Sequence, residues 1–348
     1  FFQAEDGIRD SVASRGLGDV YKRQSVLLLE KGYDLVIVDD LSNSNIEVLD
    51  NIYKITAKKP VFEKIDLKDK KAVSKLFKNY DFNGIIHFAA HKSVNESVNY
   101  PEKYFSNNVG SLENIIAEAK LLDKPMNFIF SSSCTVYGQA DSMPIDESFP
   151  LKKPESPYGQ SKRECEEILE KLNESDFSFK NITLRYFNPI GAHPSALIGE
   201  LPLGVPENLV PYLTQTAIGK RDCLTVFGND YKTVDGTCVR DYIHIMDLAE
   251  VHVICLEKLM KVKSDKFFKV YNVGTGKGSS VLELINLFET VNQIKLNYEI
   301  GARRKGDVVT AYANTSKIEG ELDWRTKYSL EDALKSAWSW QKNIYKNE

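Results

Sequence analysis

The sequence predicts an α/β fold, a doubly wound parallel sheet followed by a smaller α/β C-terminal domain. Three observations carry that reading. Apolar runs of about four to eight residues alternate with longer helical stretches, without low-complexity linkers or internal repeats. Three of the runs, at 35–39, 61–66 and 127–132, end in a carboxylate or a hydroxyl. After Pro189 the texture changes to the Pro- and Gly-rich "IGAHPSALIGELPLGVPENLVP".

Taken in order, "LVIVD" (35–39) is a buried strand that ends at Asp39, with Asp40 next. A helical stretch near 45–58 leads to the strand "VFEKID" (61–66), and another near 69–79 leads to "GIIHFA" (84–89). The stretch 98–120 precedes "NFIFSS" (127–132), and 157–172 precedes "NITLRYF" (181–187). Strands spaced by helices imply right-handed crossovers and a parallel sheet. Ligands of such sheets bind beyond the carboxyl ends of the strands, which here means Asp39, Asp66, Phe88 and Ser131–Ser133. The texture change divides the chain into a domain at 25–190 and a second at 191–348.

Composition narrows the class. A chain of 348 residues, 42% hydrophobic and 27% charged, can bury a large core. Its net charge of −4 offers no electrostatic footprint for nucleic acid or an anionic membrane. Five cysteines without a CxxC pair point to a reducing, cytoplasmic setting. No apolar run approaches the length of a membrane span, and the Phe1-Phe2 start lacks the basic and apolar regions of a signal peptide.

The strongest chemistry lies in "SSSCTVYG" (131–138) and "SPYGQSK" (156–162). Tyr158 and Lys162 are four apart, so a helix presents both on one face. A nearby ammonium lowers a tyrosine pKa, which is expected to bring a phenolate base within reach of neutral pH. A serine cluster at a strand's carboxyl end supplies a hydroxyl to share the proton. Taken alone, a YxxxK pair is more often a solvated helical contact; the serine cluster is what raises it. His87 and His91 in "HFAAH" lack a third ligand and sit on a strand, so no metal is expected. "VGTGKGSS" (273–280) lacks Walker spacing and reads as a strand-to-helix turn. "SAWSWQKNIY" reads as an amphipathic core helix.

Several segments together resemble the extended short-chain dehydrogenase/reductase superfamily and, within it, the UDP-glucose 4-epimerase family, from residue 25 to about 342. They are "EKGYDLVIVDDLSNS", "IIHFAAHKSVNES", "FIFSSSCTVYG", "SPYGQSK", "LRYFNPIGAHPSALIGE", "GTCVRDYIHIMDLA", "YNVGTGKGSSVLEL" and "RRKGDVVTAYANTSK". Related dehydratases carry an acid just after the threonine of the serine-strand motif, whereas here Val136 follows Thr135. The resemblance implies a Rossmann-type fold, NAD as cofactor, a UDP-hexose substrate, a 4-keto intermediate and a homodimer. Tyr158 is implied as the base, with Lys162 on the nicotinamide ribose and Ser133 as hydroxyl partner. It also implies a cofactor site of Asp39, Asp40, Asp66, Leu67, Phe88, Ala89, Lys92, Asn107 and Tyr186 beside Tyr158 and Lys162. In the Asn107-Asn108 pair the register is open by one. Ser133, Asn188, Asn208, Leu209, Arg240, Arg304, Asp307 and Ala311 are implied on the substrate side, the arginines holding phosphates. NAD is favoured over NADP because Asp39 and Asp40 would repel a 2′-phosphate, by about 4 kcal/mol per pair at 4 Å and an effective dielectric of 20.

The start of the chain departs from this pattern. "SRGLGDVYKRQ" (14–24) has Gly16 and Gly18 spaced as GxG, but Tyr21 stands where a third glycine should open the helix. Upstream, "FFQAEDGIRDSVAS" offers no apolar run to serve as a feeding strand. Residues 1–24 are similar to translated sequencing-adapter read-through, and are expected to be a foreign segment in place of the first strand and glycine loop. A dinucleotide site assembled from them is expected to bind weakly.

Overall fold

The computed structural model describes residues 20–175, 177–202, 204–304 and 307–346, with the short strands at 4–5, 7–8 and 12–13. The chain forms two compact units. One comprises residues 1–136, 153–185 and 249–271, and the other 137–152, 186–248 and 272–348. A single boundary near 190 is therefore not how the chain divides: a segment before it belongs to the second unit, and a later one returns to the first. Sequence texture reports local composition, whereas the units are set by which segments pack together.

The first unit is built on a seven-stranded sheet. Its strands are β1 (Val12–Ala13), β2 (Val36–Asp39), β3 (Val61–Lys64), β4 (Gly84–His87), β5 (Met126–Ser133), β6 (Phe179–Tyr186) and β7 (Phe267–Val273). Their order across the sheet is β7-β6-β5-β4-β1-β2-β3, with β3–β2, β2–β1, β1–β4 and β4–β5 parallel. The order reverses direction at β1, so β1 and β4 flank the switch point where ligands of doubly wound sheets bind. Helices α1 (Val20–Glu30), α2 (Val48–Thr56), α3 (Lys70–Asn79), α4 (Gly110–Ala119) and α5 (Pro157–Glu174) lie between strands.

Local chemistry explains several of these limits. β2 and β4 are buried throughout, as expected of apolar runs covered on both faces. Asp69 caps α3 by accepting from the N–H groups of Lys71 and Ala72, and α5 opens on Ser156, whose hydroxyl accepts from Gly159 N–H at 3.2 Å, with Pro157 next. The helical stretch expected at 98–120 is three pieces: Pro101–Tyr104, a π-helical turn at Phe105–Val109, and α4. The core of this unit gathers Val36 and Val38 of β2, Phe128 and Phe130 of β5, Leu112 and Ile115 of α4, and Leu169 of α5.

The N-terminal expectation needs one correction. Residues 1–24 do contribute a strand: Val12 aligns with Ile37 and Ile86, and Ala13 with Val38 and His87. Two residues suffice to pair across a slot whose neighbours present backbone donors and acceptors on both sides. The segment also supplies Val20–Gln24 to α1, where Arg23 and Gln24 are completely buried. Gly16 and Gly18 lie outside the described residues.

The second unit has its own core, with Ile190, Leu213, Leu284, Phe288, Leu334 and Trp338 among its members. The last two belong to the helix Leu330–Lys346, which buries one face as its sequence suggests. "VGTGKGSS" joins the end of β7 to the helix Val281–Asn292, which opens on a capping box between Ser280 and Glu283. Among the described residues no helix is long and apolar enough to cross a membrane.

Candidate active site

β5 runs to Ser133, and a short 3-10 turn at Cys134–Tyr137 follows. α5 then brings Tyr158 and Lys162 to that end of the sheet, both buried. Gly159 lets the helix come this close: a Cβ there would stand 3.0 Å from Pro154 Cβ and 3.1 Å from the Thr135 carbonyl oxygen. Ser133 Oγ accepts from Thr135 N–H at 3.3 Å and from the Thr135 hydroxyl at 3.0 Å. That leaves its own proton to turn toward the nearby Tyr158 hydroxyl, whose ionisation it favours.

Lys162 Nζ donates to the Ser131 carbonyl at 2.6 Å and lies 5.0 Å from the centre of the Phe130 ring. Burial lowers its pKa to about 8. Tyr158 moves the other way: burial pushes it up to about 12, the Ser133 hydrogen bond pulls it down, and the nearby Cys134 thiol raises it. The expected phenolate near neutral pH is thus not a property of this structure. The reason is that Lys162 turns to Ser131, while desolvation, invisible in a linear spacing, dominates at Tyr158.

Beneath this group Arg185 grips Glu166, with Nη2 2.6 Å from Oε2 and Nε 3.0 Å from Oε1, and both side chains buried. Ser132 donates to the same carboxylate. His87 is stacked near Phe128 and Phe130, and burial, followed by the Lys162 charge, lowers it to about 3. Among the described residues no group of three or more His, Cys, Asp or Glu could hold a metal ion.

An open cleft lies at the carboxyl ends of β2 and β3. Six of the sequence-selected cofactor residues line it: Asp39, Asp40, Asp66, Leu67, Ala89 and Asn107. Asp39 Oδ1 accepts from Leu41 N–H at 2.7 Å and from the Ser44 hydroxyl at 2.9 Å. Among the described residues no lysine or arginine is in the lining. Phe88 is not in it either, being fully buried with its ring 4.8 Å from that of His252. Lys92 is partly exposed on the loop after β4, and Tyr186 is buried at the end of β6. Asn107 faces the cleft, while its neighbour Asn108 works internally. The Asn108 amide accepts from His91 N–H at 2.7 Å and donates to the Ser161 hydroxyl at 2.9 Å. Ser161 in turn donates to the Tyr158 carbonyl at 2.8 Å. The sequence left the register of the Asn107-Asn108 pair open by one; here Asn107 lines the cleft and Asn108 holds the loop after β4 to α5.

Apart from Ser133, the substrate-side residues belong to the second unit. Arg304 makes a two-pronged contact with Asp307, at 2.7 and 3.2 Å, and Arg240 approaches the same carboxylate at 3.7 Å. Arg240 aligns with Ala311 on the adjacent parallel strand, and Ala311 is buried. Asn188 N–H donates to the Asp241 carbonyl at 2.9 Å. Asn208 precedes the helix Leu209–Ala217 and donates to Glu200 at 2.7 Å, while Leu209 packs on the core. Phe227, which the sequence reading passed over, is half exposed, and the Arg304 guanidinium lies 5.7 Å from its ring centre.

Known proteins with this arrangement are numerous. The family model described as GDP-mannose 4,6 dehydratase matches residues 24–337. Val136, after Thr135 in the serine-strand motif, is fully buried. The chain is 45% identical to the UDP-glucose 4-epimerase of Bacillus subtilis (strain 168), covering 94% of this chain and 95% of that protein. It is 44% identical to that of Dictyostelium discoideum, covering 94% of each. Among solved structures, it is similar to the Stenotrophomonas maltophila UDP-glucose 4-epimerase with bound NAD and formylated UDP-arabinopyranose. That match has a TM-score of 0.93 and 38% identity, covering 98% of this chain and all of that one. A second similar structure is the Bifidobacterium longum enzyme in complex with NAD+ and UDP, with a TM-score of 0.91 and 38% identity over 97% of this chain and 100% of that one. The Campylobacter jejuni UDP-Glc/GlcNAc 4-epimerase matches with a TM-score of 0.80 and 33% identity, covering 96% and 99%. With its doubly wound sheet, its Ser-Tyr-Lys group and these relatives over nearly its whole length, the chain belongs to the UDP-glucose 4-epimerase family of extended short-chain dehydrogenases/reductases.

Proposed function

We propose that this chain interconverts UDP-glucose and UDP-galactose with NAD retained through the cycle. The observation that carries the proposal is the Ser133–Tyr158 hydroxyl pair with Lys162 one turn further along α5, gathered at the carboxyl end of β5. The cleft residues suit NAD: the Asp39 and Asp66 carboxylates can accept from ribose hydroxyls and an adenine amine, and the adjacent Asp39 and Asp40 charges do not suit the extra phosphate of NADP. When bound, NAD supplies the hydride acceptor and donor for C4 of the sugar, and a cationic ring whose charge favours the Tyr158 phenolate. Lys162 would hold the nicotinamide ribose, and Phe88, Lys92 and Tyr186 would flank the rest of the cofactor.

Tyr158 takes the proton from the sugar 4-hydroxyl and later returns it to the 4-oxygen, with Ser133 holding the oxygens in line. Asn188, Asn208, Leu209, Arg240, Arg304 and Asp307 hold the UDP portion, with Arg240 and Arg304 turning from Asp307 to the diphosphate. The small Ala311 leaves room for an N-acetyl group, so N-acetylated UDP-hexoses are substrates as well. The first unit is the NAD domain and the second the nucleotide-sugar domain, and the enzyme works as a homodimer in the cytoplasm.

The test is conversion of UDP-galactose by wild type and Tyr158→Phe, each with and without added NAD. Wild type should turn over and Tyr158→Phe should lose about 10²–10⁴-fold. Equal turnover in both would remove Tyr158 from the mechanism, and no turnover by an NAD-saturated wild type would remove the function.

A further inference from the structure

The "VGTG" turn is an anion cradle already occupied by a side chain of this protein. Asp241 is fully buried, and four donors converge on its carboxylate. Thr275 contributes its N–H at 2.8 Å and its hydroxyl at 2.7 Å to Oδ1. Gly276 N–H and Ala313 N–H each reach Oδ2 at 3.1 Å. The fit is tight: a Cβ on Gly274 would stand 2.4 Å from Oδ2 and 2.9 Å from the Ala313 Cβ. Charge-assisted bonds to a buried carboxylate are the strong kind, so this cradle ties three stretches of chain into one unit.

Three substrate-side residues, Arg240, Ala311 and Asn188, lie beside this cradle. Asp241 follows Arg240 directly, its N–H donates to the Ala311 carbonyl at 3.0 Å, and its own carbonyl accepts from Asn188 N–H at 2.9 Å. One bond earlier, Val239 N–H donates to the Val309 carbonyl at 2.9 Å, completing the register that sets Arg240 opposite Ala311. The backbone of Asp241 thus touches Asn188 and Ala311, and its side chain pins the strand end at Ala313 and the turn at Thr275–Gly276.

We infer that Asp241 is a positioning residue for UDP-sugar binding, acting through Arg240, Ala311 and Asn188 by holding their strands in register within the "VGTG" cradle. The inference rests on the function proposed above. It assigns Asp241 no contact with substrate and no part in proton or hydride movement, so its loss should weaken binding and spare the chemistry.

The experiment measures UDP affinity by titration calorimetry, NAD affinity, and kcat and KM for UDP-galactose. The variants are Asp241→Asn, which turns one acceptor oxygen into a donor facing N–H groups; Gly274→Ala, which displaces the carboxylate; and Thr275→Val, which removes only the hydroxyl donor. Asp247→Asn is the control, because Asp247 is another buried carboxylate of the same unit, accepting from Lys327 and Tyr328 N–H groups away from these strands. Losing a bond to a charged group is worth on the order of tenfold or more in an equilibrium. Asp241→Asn and Gly274→Ala should therefore weaken UDP about tenfold and raise KM to match, with NAD affinity and kcat near wild type. Thr275→Val should do so by less, and Asp247→Asn should lower Tm without moving UDP affinity. A lower Tm with unchanged UDP affinity and KM in Asp241→Asn or Gly274→Ala overturns the inference, leaving Asp241 a structural group. If those two variants do not fold, Thr275→Val decides alone, and unchanged UDP affinity there overturns it. A wild type that does not bind UDP overturns the epimerase reading beneath it, a distinguishable failure.

Discussion

Ser133→Ala tests the electrostatics of the candidate base most directly. Of the influences on Tyr158 in this structure, burial is the largest and raises its pKa to about 12, whereas the Ser133 hydrogen bond opposes that rise. Thr135 fills the Ser133 oxygen with two donors, which leaves the Ser133 proton to turn toward Tyr158. A hydrogen bond to a charged group contributes about 1.5–3 kcal/mol, and one pKa unit corresponds to about 1.4 kcal/mol. Removing the hydroxyl should raise the Tyr158 pKa by about one to two units. Because the phenolate is the competent form, the rising limb of kcat/KM against pH should move to higher pH by that amount. At neutral pH, kcat/KM should fall about 10- to 100-fold. The assay is UDP-galactose conversion from pH 6 to 10 with NAD saturating. Thr135→Val, which keeps the Ser133 proton, should shift the limb less. A Ser133→Ala limb at the wild-type pH would refute the reasoning, since Ser133 would then not contribute to the ionisation of Tyr158.

Four further outcomes follow. Ala311→Tyr should abolish conversion of UDP-N-acetylglucosamine while sparing UDP-galactose; comparable rates on acetylated sugars in both forms would show that Ala311 is only a core residue. Arg185→Met should cost about 3–5 kcal/mol in urea unfolding, because it leaves the Glu166 carboxylate buried without its guanidinium; an unchanged midpoint would refute this. Gln24 is fully buried, and its amide finds no hydrogen-bond partner among the described residues, so Gln24→Met should stabilise the fold by about 1–3 kcal/mol. Replacing residues 1–24 with an apolar strand and a GGxGxxG turn should also tighten NAD binding, read as a lower dissociation constant.

The order of strands and helices was legible in the sequence because buried parallel strands are short apolar runs that need no long-range information. "LVIVD" and "GIIHFA" became β2 and β4 within a residue or two. The carboxylates at strand ends were legible for the same reason, and Asp39 and Asp66 do line one cleft. The helical spacing of Tyr158 and Lys162 fixed their shared face before any coordinates were known.

Other features depended on packing. Whether a buried tyrosine is raised or lowered depends on desolvation and on where the lysine finds its acceptor, and Lys162 found Ser131. The short strand Val12–Ala13 carries too weak a local signal to recognise, and it exists because β2 and β4 leave backbone groups to be paired. The division into units follows contacts between distant segments, so 137–152 and 249–271 change sides without any mark in composition. Asp241 shows the difference most plainly. In the sequence it is one acid after an arginine and "VGTG" is one more glycine turn; the tertiary structure alone brings them together, because only a folded chain can deliver the Thr275, Gly276 and Ala313 donors to one buried carboxylate.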